Sequence, residues 1–154
     1  MTPLQTGKEH RSSDHLVYVA EVGSDALSGF EARSNIRRPL LATAGGKVLL
    51  AARSGAEREA YLRRRRPEEA ELVEAFLADY EEIRRTRIAT NLRLNGTRFA
   101  IATTVRNQSG EAVASITLVG PTADLQPRRD ELARALLRHV DAWPRRLTAP
   151  REAI

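Results

Sequence analysis

Few residues in this chain have types and spacing suited to chemistry. The best set is Thr43–Lys47, TAGGK, within the stretch Pro39–Ala52, PLLATAGGKVLLAA. That stretch reads as an extended run that stops, turns on small residues and begins a helix, with Thr43 as N-cap. Ala44, Gly45 and Gly46 put almost no side chain over the first backbone N–H groups. Those groups have no partner inside the helix, and the macrodipole makes them an anion site. Two glycines in a first turn cost roughly 1 kcal/mol each relative to alanine, so a backbone requirement must offset them. Anion binding is one such requirement. A tight turn, or a helix packed closely on a sheet, is the other, and the residues alone leave both open.

A second set lies on the stretch Ala112–Val119, AVASITLV. The pleat puts Ile116 and Leu118 on one face, with Ser115, Thr117 and Val119 on the other. Ala100, Ala102 and Thr104 give the partner strand a similarly small, half-polar face. Such a face inside a fold leaves room for a ligand and supplies hydroxyls to orient it. The same pattern also suits a face turned to solvent. Catalytic signatures are absent: there is no G-x-S-x-G, no Walker loop and no G-x-G-x-x-G. Gly45-Gly46-Lys47 lacks the upstream glycine and the Ser/Thr of phosphate-loop NTPases. No cysteine is present, and His10, His15 and His139 lack ligand spacing. Neither enzymatic activity, nor a cofactor, nor a metal is expected.

The elements that must position these residues belong to one domain of 154 residues, 42% of them hydrophobic. No apolar run approaches the length of a membrane span and no signal-peptide pattern opens the chain, so a cytoplasmic protein without membrane contact is expected. The net charge of +5 invites a nucleic-acid reading. Its excess lies in short arginine runs, Arg63–Arg66 and the pairs at Arg84, Arg128 and Arg145, interleaved with acids. These read as solvated helix faces, and no helix-turn-helix, zinc-finger or RNA-binding signature accompanies them.

Residues 1–15 are polar and read as poorly ordered, and 148–154 as a tail. Leu16–Val22 is β-rich, Ala26–Ser34 reads as a weaker second strand, and Asn35–Arg38 as irregular. Ser54 caps a short helix that Arg63–Arg66 ends. Pro67 opens a long amphipathic helix to about Arg87, with Leu72, Val73, Phe76, Leu77, Tyr80 and Ile83 at three- and four-residue steps. Arg98–Val105 and Ala112–Val119 form a hairpin. A final helix carries Leu132, Leu136, Leu137, Val140 and Trp143 on one side until Pro144. The order β-β-α-α-α-β-β-β-α predicts an α/β (α+β) domain, a largely antiparallel sheet flanked by helices.

Four stretches in order also match a family. Residues 16–147 resemble the C-terminal effector-binding domain of IclR-type bacterial transcriptional regulators. LVYVAEV looks like its opening strand, and PLLATAGGKVLLA is similar to its "hxATAxGKxLLA" segment. FLADYEEIRRTRIA resembles the helix ending in "LxxIRxxGYA", and FAIATTVRNQSGEAVASITLVGP its "IAAPVxDxxGxVxAAlsvsGP" hairpin. The resemblance implies a GAF-like fold that binds a small, usually anionic metabolite and forms a homodimer or homotetramer. It puts the ligand carboxylate on the backbone N–H groups of Ala44 and Gly45, which agrees with the anion site argued above. Its polar contacts fall on Thr117 and Val119, its acidic pocket residue on Asn91, and a pocket residue often found as cysteine on Ala100.

This chain departs from that pattern. Asn91 replaces an acid, Val119 a hydroxyl residue, Thr104 the proline and Arg87 the glycine after "IR". The departures suggest a ligand more anionic or less hydroxylated than a simple 2-oxo acid, such as a dicarboxylate or an aromatic acid. The resulting expectation is a ligand-sensing domain of a regulator. Ala44, Gly45 and Gly46 would hold a small carboxylate, Asn91 and Thr117 would orient it, and Ala100 and Val119 would shape the pocket. The alternative is a degenerate effector domain that serves only in dimerisation. Family regulators begin with a winged helix-turn-helix that these residues do not supply, so no direct DNA binding by this chain alone is expected.

Overall fold

The backbone is extended at Thr43 (φ −135°, ψ 152°), and its side-chain oxygen accepts the Gly46 N–H at 2.9 Å. That cap starts helix α1, Ala44–Ala51, at the predicted residue. A computed structural model describes residues 15–17 and 37–143 of the chain. All eight residues of α1 are buried, as expected of a helix that is apolar nearly all round. It is the centre of the fold.

Strand β1 (His15–Val17) pairs antiparallel with β2 (Arg37–Pro39). A 3-10 turn, Leu40–Ala42, leads from β2 to α1. The pairing corrects the reading of Asn35–Arg38 as irregular: Arg37 and Arg38 lack an apolar alternation, and their strand exists because Leu16 and Val17 pair with them. The rest of the expected strand Leu16–Val22, the expected strand Ala26–Ser34, residues 1–14 and the tail lie outside the described residues.

Helix α2 (Gly55–Arg63) starts at Ser54, whose hydroxyl accepts the Glu57 N–H at 3.2 Å. Pro67 opens a 3-10 turn that continues into α3, Ala70–Thr86. Of the six apolar positions expected to face the core, Phe76 and Ile83 are buried and Val73 and Tyr80 pack at its margin. Leu72 and Leu77 are exposed instead. α3 ends at Arg87, which adopts the left-handed conformation (φ 63°, ψ 28°). That conformation costs a non-glycine residue roughly 1 kcal/mol, which accounts for a glycine at this place in the resembling family. Here the guanidinium makes two bonds to the Asp141 carboxylate, at 3.1 and 3.2 Å, tying the end of α3 to the last helix.

Strands β3 (Ala89–Arg93), β4 (Arg98–Arg106) and β5 (Ala112–Pro121) form an antiparallel sheet in that order. β4 is the middle strand, and its residues alternate between two cores. Ala100 and Ala102 face α1, α3 and Tyr61 of α2. Phe99 and Ile101 face Leu136 of helix α5 (Arg129–Ala142), reached through the short helix α4 (Thr122–Leu125). Trp143, expected on the apolar side of α5, caps it at 36% exposure. The result is an α+β fold with helices on both faces of an antiparallel sheet, as the sequence predicts.

Arg63, Arg64 and Arg66 are exposed, in keeping with a solvated run, but Arg65 is not. Its guanidinium stacks over the Tyr61 ring at 3.9 Å and pairs with Glu69 at 3.5 Å.

Candidate functional site

Sheet register gathers the candidate residues under α1. Asn91 of β3, Ala100 of β4 and Val119 of β5 are direct cross-strand partners and form one row. Ala89, Ala102 and Thr117 form the next, and Thr104 opposite Ser115 the one after. The face carrying Ala100, Ala102 and Thr104, left open between ligand pocket and solvent by the sequence, is therefore interior. Thr104 and Ser115 are each 2% exposed.

The first turn of α1 lies directly on this face. A Cβ on Gly45 would stand 2.6 Å from the Ser115 Oγ and 3.1 Å from the Thr117 Oγ1. A Cβ on Gly46 would stand 2.6 Å from the Leu40 Cα and carbonyl carbon. Close approach thus accounts for both glycines. Gly45 lets the helix meet β5, and Gly46 lets it meet the turn that precedes it.

The amides divide accordingly. The Gly46 N–H is taken by the Thr43 cap, and the Lys47 N–H donates to the Thr43 carbonyl at 3.1 Å. Ala44 and Gly45 are left with N–H groups that have no intrahelical acceptor. Gly46, grouped with them in the sequence reading, does not have its amide free for an anion. Beside Gly45 the Thr117 hydroxyl is shielded from solvent and has no hydrogen-bond partner among the described residues, and the Thr104 hydroxyl is in the same condition. A buried hydroxyl left unsatisfied costs about 1–3 kcal/mol, so a ligand group that bonds the Thr117 hydroxyl recovers that energy.

Asn91 is engaged on both sides. Its Nδ2 donates to the Ala42 carbonyl at 2.9 Å, and its Oδ1 accepts from the Lys47 Nζ at 3.0 Å. The two partners fix which way the carboxamide points. Lys47 also donates to the Thr90 carbonyl at 3.1 Å. The sequence analysis weighs Lys47 only as part of TAGGK and of the Gly45-Gly46-Lys47 triplet and assigns its side chain no role; the signal for it is a lone cation in the run GGKVLLAA. Burial pushes its ammonium below the ordinary value of 10.5, an effect that the Asp79 carboxylate partly offsets.

The lowered value has a consequence for stability. Between the folded-state value and 10.5 the unfolded chain holds more protons than the folded one, so stability from this group rises with pH there. Urea unfolding at pH 7 to 10 is expected to show that rise in the wild type and to lose it in Lys47→Gln. Equal slopes for the two proteins would contradict the assignment.

A separate open cleft is lined by Asp79, Glu82, Thr90 and Arg129 among others, with two carboxylates to one guanidinium. That balance does not suit an anion. Among the described residues no group of three or more His, Cys, Asp or Glu could hold a metal ion, and no helix is long and apolar enough to cross a membrane.

Comparison with known proteins is consistent with this architecture. A structure of Thermotoga maritima IclR superposes with a TM-score of 0.66 at 19% identity, over 82% of this chain and 54% of that one. A protein of Rhodococcus sp. RHA1 described as a transcriptional regulator gives 0.72 at 24%, over 83% and 56%. An IclR family transcriptional regulator from Brucella abortus gives 0.71 at 17%, over 83% and 51%. These likenesses show the fold, and the chain spans little more than half the length of those three proteins. The comparison with curated proteins finds no match. The family profile described as "Bacterial transcriptional regulator IclR C-terminal" matches residues 9–145. That match covers most of the chain, which therefore belongs to the IclR family of transcriptional regulators, not enzymes, as their C-terminal domain.

Proposed function

We propose that this chain is the ligand-sensing, self-associating part of a transcriptional regulator, occupying residues 16–147. A small carboxylate binds at the N-terminus of α1. The Ala44 and Gly45 amides hold it, Thr117 orients it, Gly46 and Asn91 shape the turn behind it, and Ala100 and Val119 line its row of the sheet. The observation that carries this reading is the Thr117 hydroxyl, shielded and without a partner among the described residues, beside the amide end of α1. Mechanistically, a ligand with different affinities for two arrangements of a dimer or tetramer shifts their populations, and with them the spacing of attached DNA-binding heads.

The test is a thermal-shift and calorimetric screen of small carboxylic acids against the purified chain. Ligand at 100 times its dissociation constant adds about 2.7 kcal/mol to the folded state. Thr117→Val keeps the shape and removes the hydroxyl. Hydrogen bonds to charged groups contribute about 1.5–3 kcal/mol, so this variant should bind roughly 10- to 150-fold more weakly, while its own stability holds or rises by about 1–3 kcal/mol as the unsatisfied hydroxyl is removed. Unaltered affinity in Thr117→Val would remove Thr117 from the site. A chain that self-associates and binds no acid would instead support the dimerisation-only reading, which Asn91 and Val119, in place of an acid and a hydroxyl residue, favour.

A further inference from the structure

We infer that this chain binds a second copy of itself across the corner between α2 and α3, the arginines of each copy meeting the glutamates of the other about a two-fold axis. The inference rests on the self-association proposed above and names the surface that carries it. The corner turns at Pro67, and charge divides there. Before it stand Arg63, the last residue of α2, with Arg64 and Arg66; after it stand Glu68, then Glu71 and Glu74 of α3. All of these residues are exposed. Arg65 and Glu69, which lie between them, bond each other at 3.5 Å and are satisfied within the chain. Among the described residues Arg63, Arg66, Glu68, Glu71 and Glu74 take part in no ion pair.

Helical geometry turns both halves outward. Arg63 stands about 160° around α2 from the buried Tyr61, and Glu74 and Glu71 stand about 160° and about 140° around α3 from the buried Phe76. Helix dipoles favour Arg63 at the end of α2 and Glu71 in the first turn of α3, but Glu74 lies beyond that turn and gains nothing from it. Glu68, Glu71 and Glu74 follow one another at three-residue steps, where like charges repel. Arginines of a second copy set opposite them replace that repulsion with attraction. A surface made of two opposite halves is complementary to its own copy turned through a half-rotation, as a closed isologous dimer requires. A uniformly acidic or uniformly basic partner would match one half and be repelled by the other.

Analytical ultracentrifugation of the purified 154-residue chain at pH 7 and about 0.15 M salt tests this with two double variants. Arg63→Glu with Arg66→Glu shifts the corner to acid, and Glu71→Arg with Glu74→Arg shifts it to base. Each variant alone should lose one association step, dimer to monomer or tetramer to dimer, its dissociation constant rising about tenfold or more. Mixed in equal amounts, the two should associate within about threefold of the wild type, because every reversed position then sets arginine against glutamate. Only folded chains can show that rescue, so it also guards against a variant that has simply unfolded. Self-association that ignores both reversals, or that each abolishes and mixing does not restore, overturns the inference and leaves self-association to another surface. A wild type that stays monomeric overturns the self-association reading itself, and this surface with it.

Discussion

Gly46→Ala is expected to cost about 3 kcal/mol, the upper end of the usual range for forcing a methyl group into packed structure. The methyl would press on the backbone of Leu40, 2.6 Å from its Cα and carbonyl carbon, and backbone cannot rotate away as a side chain can. For a chain of this size each kcal/mol lowers the melting temperature by about 2–4 °C, so a fall of roughly 6–12 °C should appear in a thermal melt. Gly45→Ala is the contrasting case. Its methyl meets the Ser115 hydroxyl, which can turn aside, and the cost should stay near 1 kcal/mol, about the lower end for added core volume. Equal losses from the two substitutions would contradict the account of how α1 approaches its neighbours.

Phe76→Ala should be larger still, about 3–5 kcal/mol. Phe76 is fully buried on the side of α1 away from the sheet, in one core with Leu40, Leu50 and Tyr61, and its ring lies 5.9 Å from that of Tyr80. Deleting it removes a fully buried apolar side chain of α3 from the core it shares with α1. Denaturant unfolding with an unchanged slope and a midpoint shifted by that amount is the expected result. A loss below about 1.5 kcal/mol would mean that the core can collapse around the gap.

What the sequence could reveal followed from local chemistry. Thr43 and Ser54 cap helices because their side-chain oxygens are acceptors at the right spacing, and the three- and four-residue steps from Val73 to Ile83 define α3. The hairpin was legible from two alternating strands around Asn107-Gln108-Ser109-Gly110. Its extent was less so: β5 runs on to Pro121, and the register shifts between Val105 and Arg106. The predicted order counts a strand where β3 lies but gives it no bounds, since ATNLR owes its conformation to pairing with β4. Leu72 and Leu77 fit the helical period and are exposed nonetheless, because the neighbours of α3 cover a narrower stripe than its apolar face.

The candidate site divides in the same way. TAGGK was visible as a capped, glycine-rich helix start, but the reason for each glycine lay in what it touches, Ser115 and Thr117 for one and Leu40 for the other. Asn91, Ala100 and Val119 are far apart in sequence and meet only through strand register. Resemblance to the family named them, and pairing made them neighbours. Lys47 escaped notice because its significance is an environment, a cation in a helix with no exposed side, that only the packing of α1 against sheet and α3 creates.

The most direct test of the account is an NMR titration of the isotopically labelled chain with the tightest-binding acid from the screen, following the amide protons of Ala44 and Gly45. A carboxylate accepted at the N-terminus of α1 should move both resonances strongly downfield, with Thr117 responding and the amides around Asp79 and Glu82 nearly unchanged. Saturable binding that leaves Ala44 and Gly45 in place, or that moves the Asp79–Glu82 cleft instead, would contradict an anion site at this helix.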